Sequence, residues 1–155
     1  MAIVKSGAGT RGLRGARWTA LVARVLRPVM IRHHRRRGDE FRGKAVLYLT
    51  TVGATTGKRR QSALGYELDG AGAWLVVASF GGAAQHPGWY HNLAAHPDQV
   101  WIEVGGRHHR VRAEQLDGAR REQAWARIVD SRPSMAGYQE KTDRVLPVLR
   151  LVRAT

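Results

Sequence analysis

His86, His91 and His96 are the first residues in this chain whose type and spacing invite chemistry. They lie in the stretch ASFGGAAQHPGWYHNLAAHP, Ala78 to Pro97, five residues apart. On a helix five residues turn about 500°, which leaves them roughly 140° off a common face. Ligand pairs on a helix normally use i, i+3 or i+4 spacing, so these rings are expected to diverge. His86 precedes Pro87 and His96 precedes Pro97, which places both at helix ends in surface or capping roles. No metal is therefore expected. The chain has no cysteine, so it offers no disulfide, no thiolate zinc site and no cysteine nucleophile.

GATTGKRR, Gly53 to Arg60, looks like a phosphate loop but is not one. Three residues separate Gly53 from Gly57 where the motif needs four, and Arg59 stands where Ser or Thr must reach magnesium. The next segment alternates as a strand instead of opening a helix. The plain reading is a glycine-rich hairpin turn. With its backbone N–H groups, Thr55, Thr56, Lys58, Arg59 and Arg60, such a turn is also a candidate anion site.

Ser79 and the Gly81-Gly82 pair end a strand, and glycines there let a flat ligand or another backbone come close. Pro87 opens a helix whose N-terminus favours an anion. On that helix Trp89, Asn92, Leu93 and His96 share a face. Trp89 and Leu93 could be plain core. Asn92 on the same face needs partners.

These residues need elements to hold them. Period-two patterning begins at residue 45: AVLYLTTV, then Leu64, Tyr66 and Leu68, then AWLVVAS, QVWIEVG and RHHRVRAEQL. Gly105-Gly106 is a two-residue hairpin signal. GWYHNLAA is helical. Leu116-Asp117-Gly118 opens a further helix with Trp125, Ile128 and Val129 on one face, a short helix follows near 134–144, and VLPVLRLV is the last strand. Strands outnumber helices and most connections are hairpin-like. The pattern predicts an α+β, mainly β fold, a small barrel with helices over its ends.

The formal charge of +14 is unevenly placed. Residues 1–44 hold 12 Lys/Arg against two acids, and residues 45–155 hold 14 against 10. Residues 1–15 are Gly- and Arg-rich and are expected to be mobile. ARWTALVARVLR, 16–27, is a basic amphipathic helix carrying Trp18, Leu21, Val22, Val25 and Leu26, which Pro28 interrupts. The division is a basic arm, 1–43, and a barrel domain, 44–155. No apolar run approaches the roughly 20 residues of a membrane span, and the start lacks the apolar core of a signal peptide. A cytoplasmic protein is expected. The arm's helix either packs on the barrel or a second copy, or lies on an anionic membrane surface, with packing favoured. Nucleic acid is not expected, because the charge sits in the arm and no known binding module is present.

LTTVGATTGKRR, ASFGGAAQHPGWYHNL and YQEKTDRVLP, in that order, resemble the deazaflavin-dependent nitroreductase family over residues 45–152. The resemblance implies a Greek-key split β-barrel of the FMN-binding type, with residues 44–155 as its cofactor-binding domain, and the hydride carrier coenzyme F420. It implies that the coenzyme's phosphate and glutamate tail meets the turn at Ala54, Thr55, Thr56 and Arg60, with Lys58 in support. It implies a ring lined by Val77, Ala78, Ser79 and Phe80, a helix start at Gly88, Trp89, Tyr90, His91 and Asn92, and a C-terminal cover at Met135 and Tyr138. Family members commonly carry two basic residues where this chain has Ala54-Thr55, and often a lysine at Phe80. Lys58, Arg59 and Arg60 are the candidates to replace them.

The implied activity is transfer of hydride from reduced F420 to a lipophilic nitroaromatic, quinone or enone. Ser79 and Tyr138 are the expected catalytic pair, hydrogen-bonding cofactor or substrate and supplying a proton. The alternative is a non-enzymatic barrel that holds a lipid or another flavin-like ligand. A homodimer is a candidate assembly, and a membrane contact through the arm is the less favoured of its two readings.

Overall fold

A computed structural model describes residues 3–12 and 16–155, without the side chains of residues 16–20 and 23. Trp18 therefore lies outside what is described. The elements are α1 (Ala16–Arg36), β1 (Glu40–Phe41), β2 (Lys44–Val52), β3 (Arg59–Gly65), β4 (Glu67–Leu68), β5 (Ala73–Val77), α2 (Gly88–Ala95), β6 (Val100–Val104), β7 (Arg107–Gln115), α3 (Gly118–Ser131), α4 (Ser134–Lys141) and β8 (Val148–Arg153).

The eight strands make one antiparallel sheet in the order β1-β2-β6-β7-β8-β5-β4, with β3 on the other side of β2. β3 pairs only β2, and β4 pairs only β5. The curled sheet is a split β-barrel with flanking helices, as the resemblance implied. Alternation sorts the core into two bodies. On β5, Trp74 and Val76 join the main cluster with Leu47, Leu49, Tyr90, Leu93, Ile102 and Leu151. Leu75, on the opposite face, joins Leu116, Ala124, Ile128 and Val148 under α3. Gly105 and Gly106 both have positive φ, 55° and 72°, as the β6–β7 hairpin turn requires.

Two expectations about the arm need correction. Pro28 does not end the helix; α1 runs 21 residues through it. Proline removes one N–H and leaves the Arg24 carbonyl without its helical donor. The far end of α1 is anchored firmly enough to tolerate that loss. Arg35 grips the Glu103 carboxylate through two bonds of 2.6 and 2.8 Å and lies over the Tyr48 ring. His34 is buried against the Glu40 carbonyl and Phe41.

The second correction concerns the first residues. Residues 3–12 form a strap, not a loose tail. Ile3 is buried in the main core, and the Gly9 N–H donates to the Ala84 carbonyl. Asp143 accepts from the Thr10 hydroxyl and from the N–H groups of Thr10 and Arg11. Those bonds, led by the Thr10 hydroxyl, hold the Asp143 pKa down at about 2.

Packing of α1 on the barrel is only half realised. Leu21, Val22, Val25, Leu26, Val29 and Met30 are 46–67 % exposed. At 100° per residue they form one continuous stripe. Arg24, Arg27, Ile31 and His34 occupy the other side and face the barrel.

Candidate functional site

A cavity of about 1030 Å³ lies between α1, the strap, β3, the end of β5 and the start of α2. Its walls are mainly apolar: Ile31, Val46, Leu64, Val77, Phe80 and Trp89 all contribute. Ser79, His86 and His91 add polar groups, and Lys5, Arg24 and Arg27 add charge. A flat apolar ring with an anionic extension fits such a lining.

One buried arginine holds the turn that lines one wall of the site. Arg144 donates to the carbonyls of Ala83, Ala78 and Ser79 at 2.8, 3.1 and 2.8 Å, and to Nδ1 of His86 at 3.1 Å. Among the described residues it has no carboxylate partner, and burial pulls its pKa down. This fork fixes the turn after β5, where Phe80, Gly81 and Gly82 all have positive φ, 45°, 62° and 81°. A bulky residue in that region is strained, and Phe80, held there, lines the cavity. Gly82 is required: a Cβ there would meet the Tyr138 carbonyl at 2.5 Å.

The histidines depart from their expected placement. His86 is buried rather than superficial, and its ring centroid is 6.0 Å from that of His91. His86 precedes α2, so helical spacing does not apply to it. Arg144 can only donate, so His86 Nδ1 accepts and the ring proton sits on Nε2. From there it donates to the Ser6 and Gly7 carbonyls at 3.0 and 3.2 Å. His86 thus ties the strap to Arg144 and has no lone pair left for a metal. His96 does end α2, as expected.

Burial first, then the Arg144 charge, lowers the His86 pKa. The folded chain therefore binds that proton more weakly than the unfolded chain. The stability this gives is complete above about pH 6.5 and is lost as the pH falls through the lower folded value. Melting temperature should decline from pH 7 to pH 5 in the wild type and decline less in His86→Gln. Parallel curves would remove His86 as the cause. Asp143 adds a separate acid window, with its stability lost only as the pH falls from its ordinary 3.8 through about 2.

The turn between β2 and β3 turns out to be occupied with itself. Gly53 N–H donates to the Lys58 carbonyl and Gly57 N–H to the Gly53 carbonyl. Lys58 N–H donates to Thr56 Oγ1, and Ala54 N–H donates to Asn92 Oδ1 at 3.0 Å. Arg59 stacks on Trp101. Thr55 and Lys58 are exposed.

The Asn92 amide also donates to Thr51 Oγ1 at 3.0 Å. The partners that Asn92 needs are the turn itself, so it positions the turn on α2. Asn92→Ala should lower stability by about 1–2 kcal/mol, two ordinary hydrogen bonds, or roughly 2–8 °C in melting temperature. An unchanged melting curve would show that water replaces both bonds.

Of the other candidates, Val77, Ser79, Phe80, Gly88, Trp89 and His91 come together around the cavity. Ala78 is buried behind it, its carbonyl held by Arg144. Tyr90 is fully buried, and its hydroxyl donates to Gln115. Met135 and Tyr138 do not line the cavity. α4 turns Met135 into the cluster under α3, while the Lys141 ammonium lies over the Tyr138 ring. Sequence reading missed Arg144, His86 as an anchor, and the cations Lys5, Arg24 and Arg27. Arg144 stood inside YQEKTDRVLP, where a charged residue within an otherwise apolar approach to a strand was the available signal.

Comparison with known proteins gives three concordant results. The profile of the family described as F420H(2)-dependent quinone reductase matches residues 22–152. An F420H(2)-dependent quinone reductase of Mycobacterium tuberculosis is 40% identical over 110 residues, 69% of this chain and 72% of the relative. A solved F420-H2 dependent reductase has TM-score 0.61 and 37% identity, covering 68% of this chain and 92% of that one. A further solved structure, described as a domain-swapped dimer, has TM-score 0.63 and 31% identity over 86% of this chain and 98% of its own.

Proposed function

The chain belongs to the F420H(2)-dependent quinone reductase family, and from that premise we propose that it passes hydride from reduced F420 to a quinone held in the cavity beneath α1. The family decides for a reductase over a barrel that merely stores a lipid or another flavin-like ligand. When bound, the deazaflavin supplies the hydride. This chain's residues orient and shield the reactants. Val77, Phe80 and Trp89 form walls for a flat ring. Ser79 presents a hydroxyl with no partner among the described residues, next to a carbonyl clamped by Arg144. That hydroxyl is placed to donate to a substrate oxygen as negative charge develops there. The observation that carries the reading is this combination of a large apolar cavity, the Ser79 hydroxyl at the end of β5 and a cationic side.

The test is anaerobic oxidation of reduced F420, followed by absorbance, with a quinone, a nitroaromatic and an activated enone. Turnover of the quinone, reduced in Ser79→Ala, is expected. Binding of F420 with no oxidation by any of the three would sink the reductase reading for this cavity.

Among the described residues no helix is long and apolar enough to cross a membrane. The outward stripe of α1 runs into Arg32, His33 and Arg36, and the helix contains no acidic residue. That chemistry suits the surface of an anionic bilayer, with the stripe in the acyl boundary, and contact there would bring a lipophilic quinone to the cavity. The domain-swapped relative supports a homodimer as the assembled form. Full-length chain should co-sediment with anionic vesicles, and Val25→Glu with Val29→Glu should abolish this. A wild-type dimer that ignores vesicles would assign the stripe to a second copy instead.

A further inference from the structure

One side of the cavity is cationic, and no acidic residue is among the described residues that line it. Lys5 of the strap and Arg24 and Arg27 of α1 line it. Arg60 stands on β3, two residues before the cavity-lining run Ser62 to Gly65, and adds a fourth cation beside the cavity. The Arg27 pKa is lowered by burial, then by Arg60 and Arg24, so the three guanidiniums are close neighbours. None of the four cations makes a hydrogen bond or ion pair among the described residues. Several arginines elsewhere do have carboxylate partners: Arg35 with Glu103, Arg120 with Glu114, Arg127 and Arg150 with Asp69, and Arg132 with Glu67. Clustered like charges without an acid are unfavourable unless a ligand supplies one.

The turn at residues 53–58 is poorly equipped to receive an anion. Three of its N–H groups are donated within the turn and a fourth, that of Ala54, to Asn92 on α2, Arg59 is stacked away on Trp101, and Ala54-Thr55 carry no charge. We propose that α1 carries the anion site: Arg24 and Arg27, with Arg60 and Lys5, hold the phosphate and carboxylates of the coenzyme's tail. This rests on the assignment of F420 to the cavity. The positive charge absent from the turn is thus restored by a helix that lies outside the barrel, and bound ligand clamps α1 over the cavity.

Equilibrium binding by fluorescence tests this on the full chain, with two probes: F420, and the same deazaflavin lacking its phosphate and glutamates. Arg24→Gln with Arg27→Gln should weaken F420 binding about 30-fold or more, the scale of two lost charge-assisted contacts. The same variant should bind the tail-less deazaflavin as the wild type does, which also shows that it folds. The wild-type preference for F420 should shrink as salt is raised, and the variant's preference should hardly respond. Equal F420 affinity in wild type and variant overturns the anion site and leaves the coenzyme reading intact. Equal weakening of both probes also overturns it, since the arginines would then serve the ring. A wild type that binds neither probe overturns the coenzyme reading, and the proposal with it.

Discussion

Arg144→Met should lower stability by about 3–4 kcal/mol, or roughly 6–16 °C in melting temperature. Arg144 is 4 % exposed; it donates to the carbonyls of Ala78 and Ala83 and to His86 Nδ1, and shares the Ser79 carbonyl with the Gly82 N–H. Methionine matches much of its volume but leaves three acceptors, the Ala78 and Ala83 carbonyls and His86 Nδ1, without that donor in the interior. Arg144→Lys should do little better, because a point charge cannot reproduce a planar fork of divergent N–H groups. The loss should extend to the site, since the same bonds fix the left-handed turn at Phe80. Unfolding by heat and by denaturant measures the effect. A change below about 1 kcal/mol would mean that water enters and replaces the fork.

The second large effect is expected at Trp89. The ring is buried in the main core and also forms part of the cavity wall, so core and ligand-facing roles are not alternatives for this residue. Trp89→Ala should cost about 3–5 kcal/mol of stability in the free protein. Saturating coenzyme should stabilise the variant less than the wild type, because the wall is lost along with the packing. Identical coenzyme-induced shifts in the two proteins would leave Trp89 with a core role alone.

Much of the barrel was legible because strands obey a short rule. Leu64 and Tyr66, the AWLVV run of β5 and the alternation at Val100, Ile102 and Val104 each declare a face, and Gly105-Gly106 declares a turn. Helix α2 was legible from Pro87 and its apolar face. The arm was misread because local propensity was allowed to decide at Pro28. The structure shows a tertiary decision, the Arg35–Glu103 grip spanning 68 residues of sequence. His86 and Arg144 were obscured for a related reason. Their roles come from meeting each other and the strap, and nothing in the spacing of either announces the meeting. The wheel of α1 did contain its two faces, the stripe at Leu21, Val25 and Val29 against Arg24, Arg27 and Ile31. Charge asymmetry drew attention to the number of arginines rather than to the side each one occupies.

The position of β8 sets the tempo of assembly. The last strand of the chain pairs β7 on one flank, Val111 with Arg153, and β5 on the other, Ala73 with Val152. Without it the sheet is two separate pieces. Joining them closes loops of roughly forty to eighty residues, a slow step for which little is gained until both flanks engage. Arg144 sits just upstream of that strand, so the turn that carries Ser79 and Phe80 waits on the same event. An early compact state would have its hairpins and helices but neither a continuous sheet nor a formed site. Refolding should therefore restore helical signal before the fluorescence of buried Trp74 and Trp89, with coenzyme binding returning together with the latter.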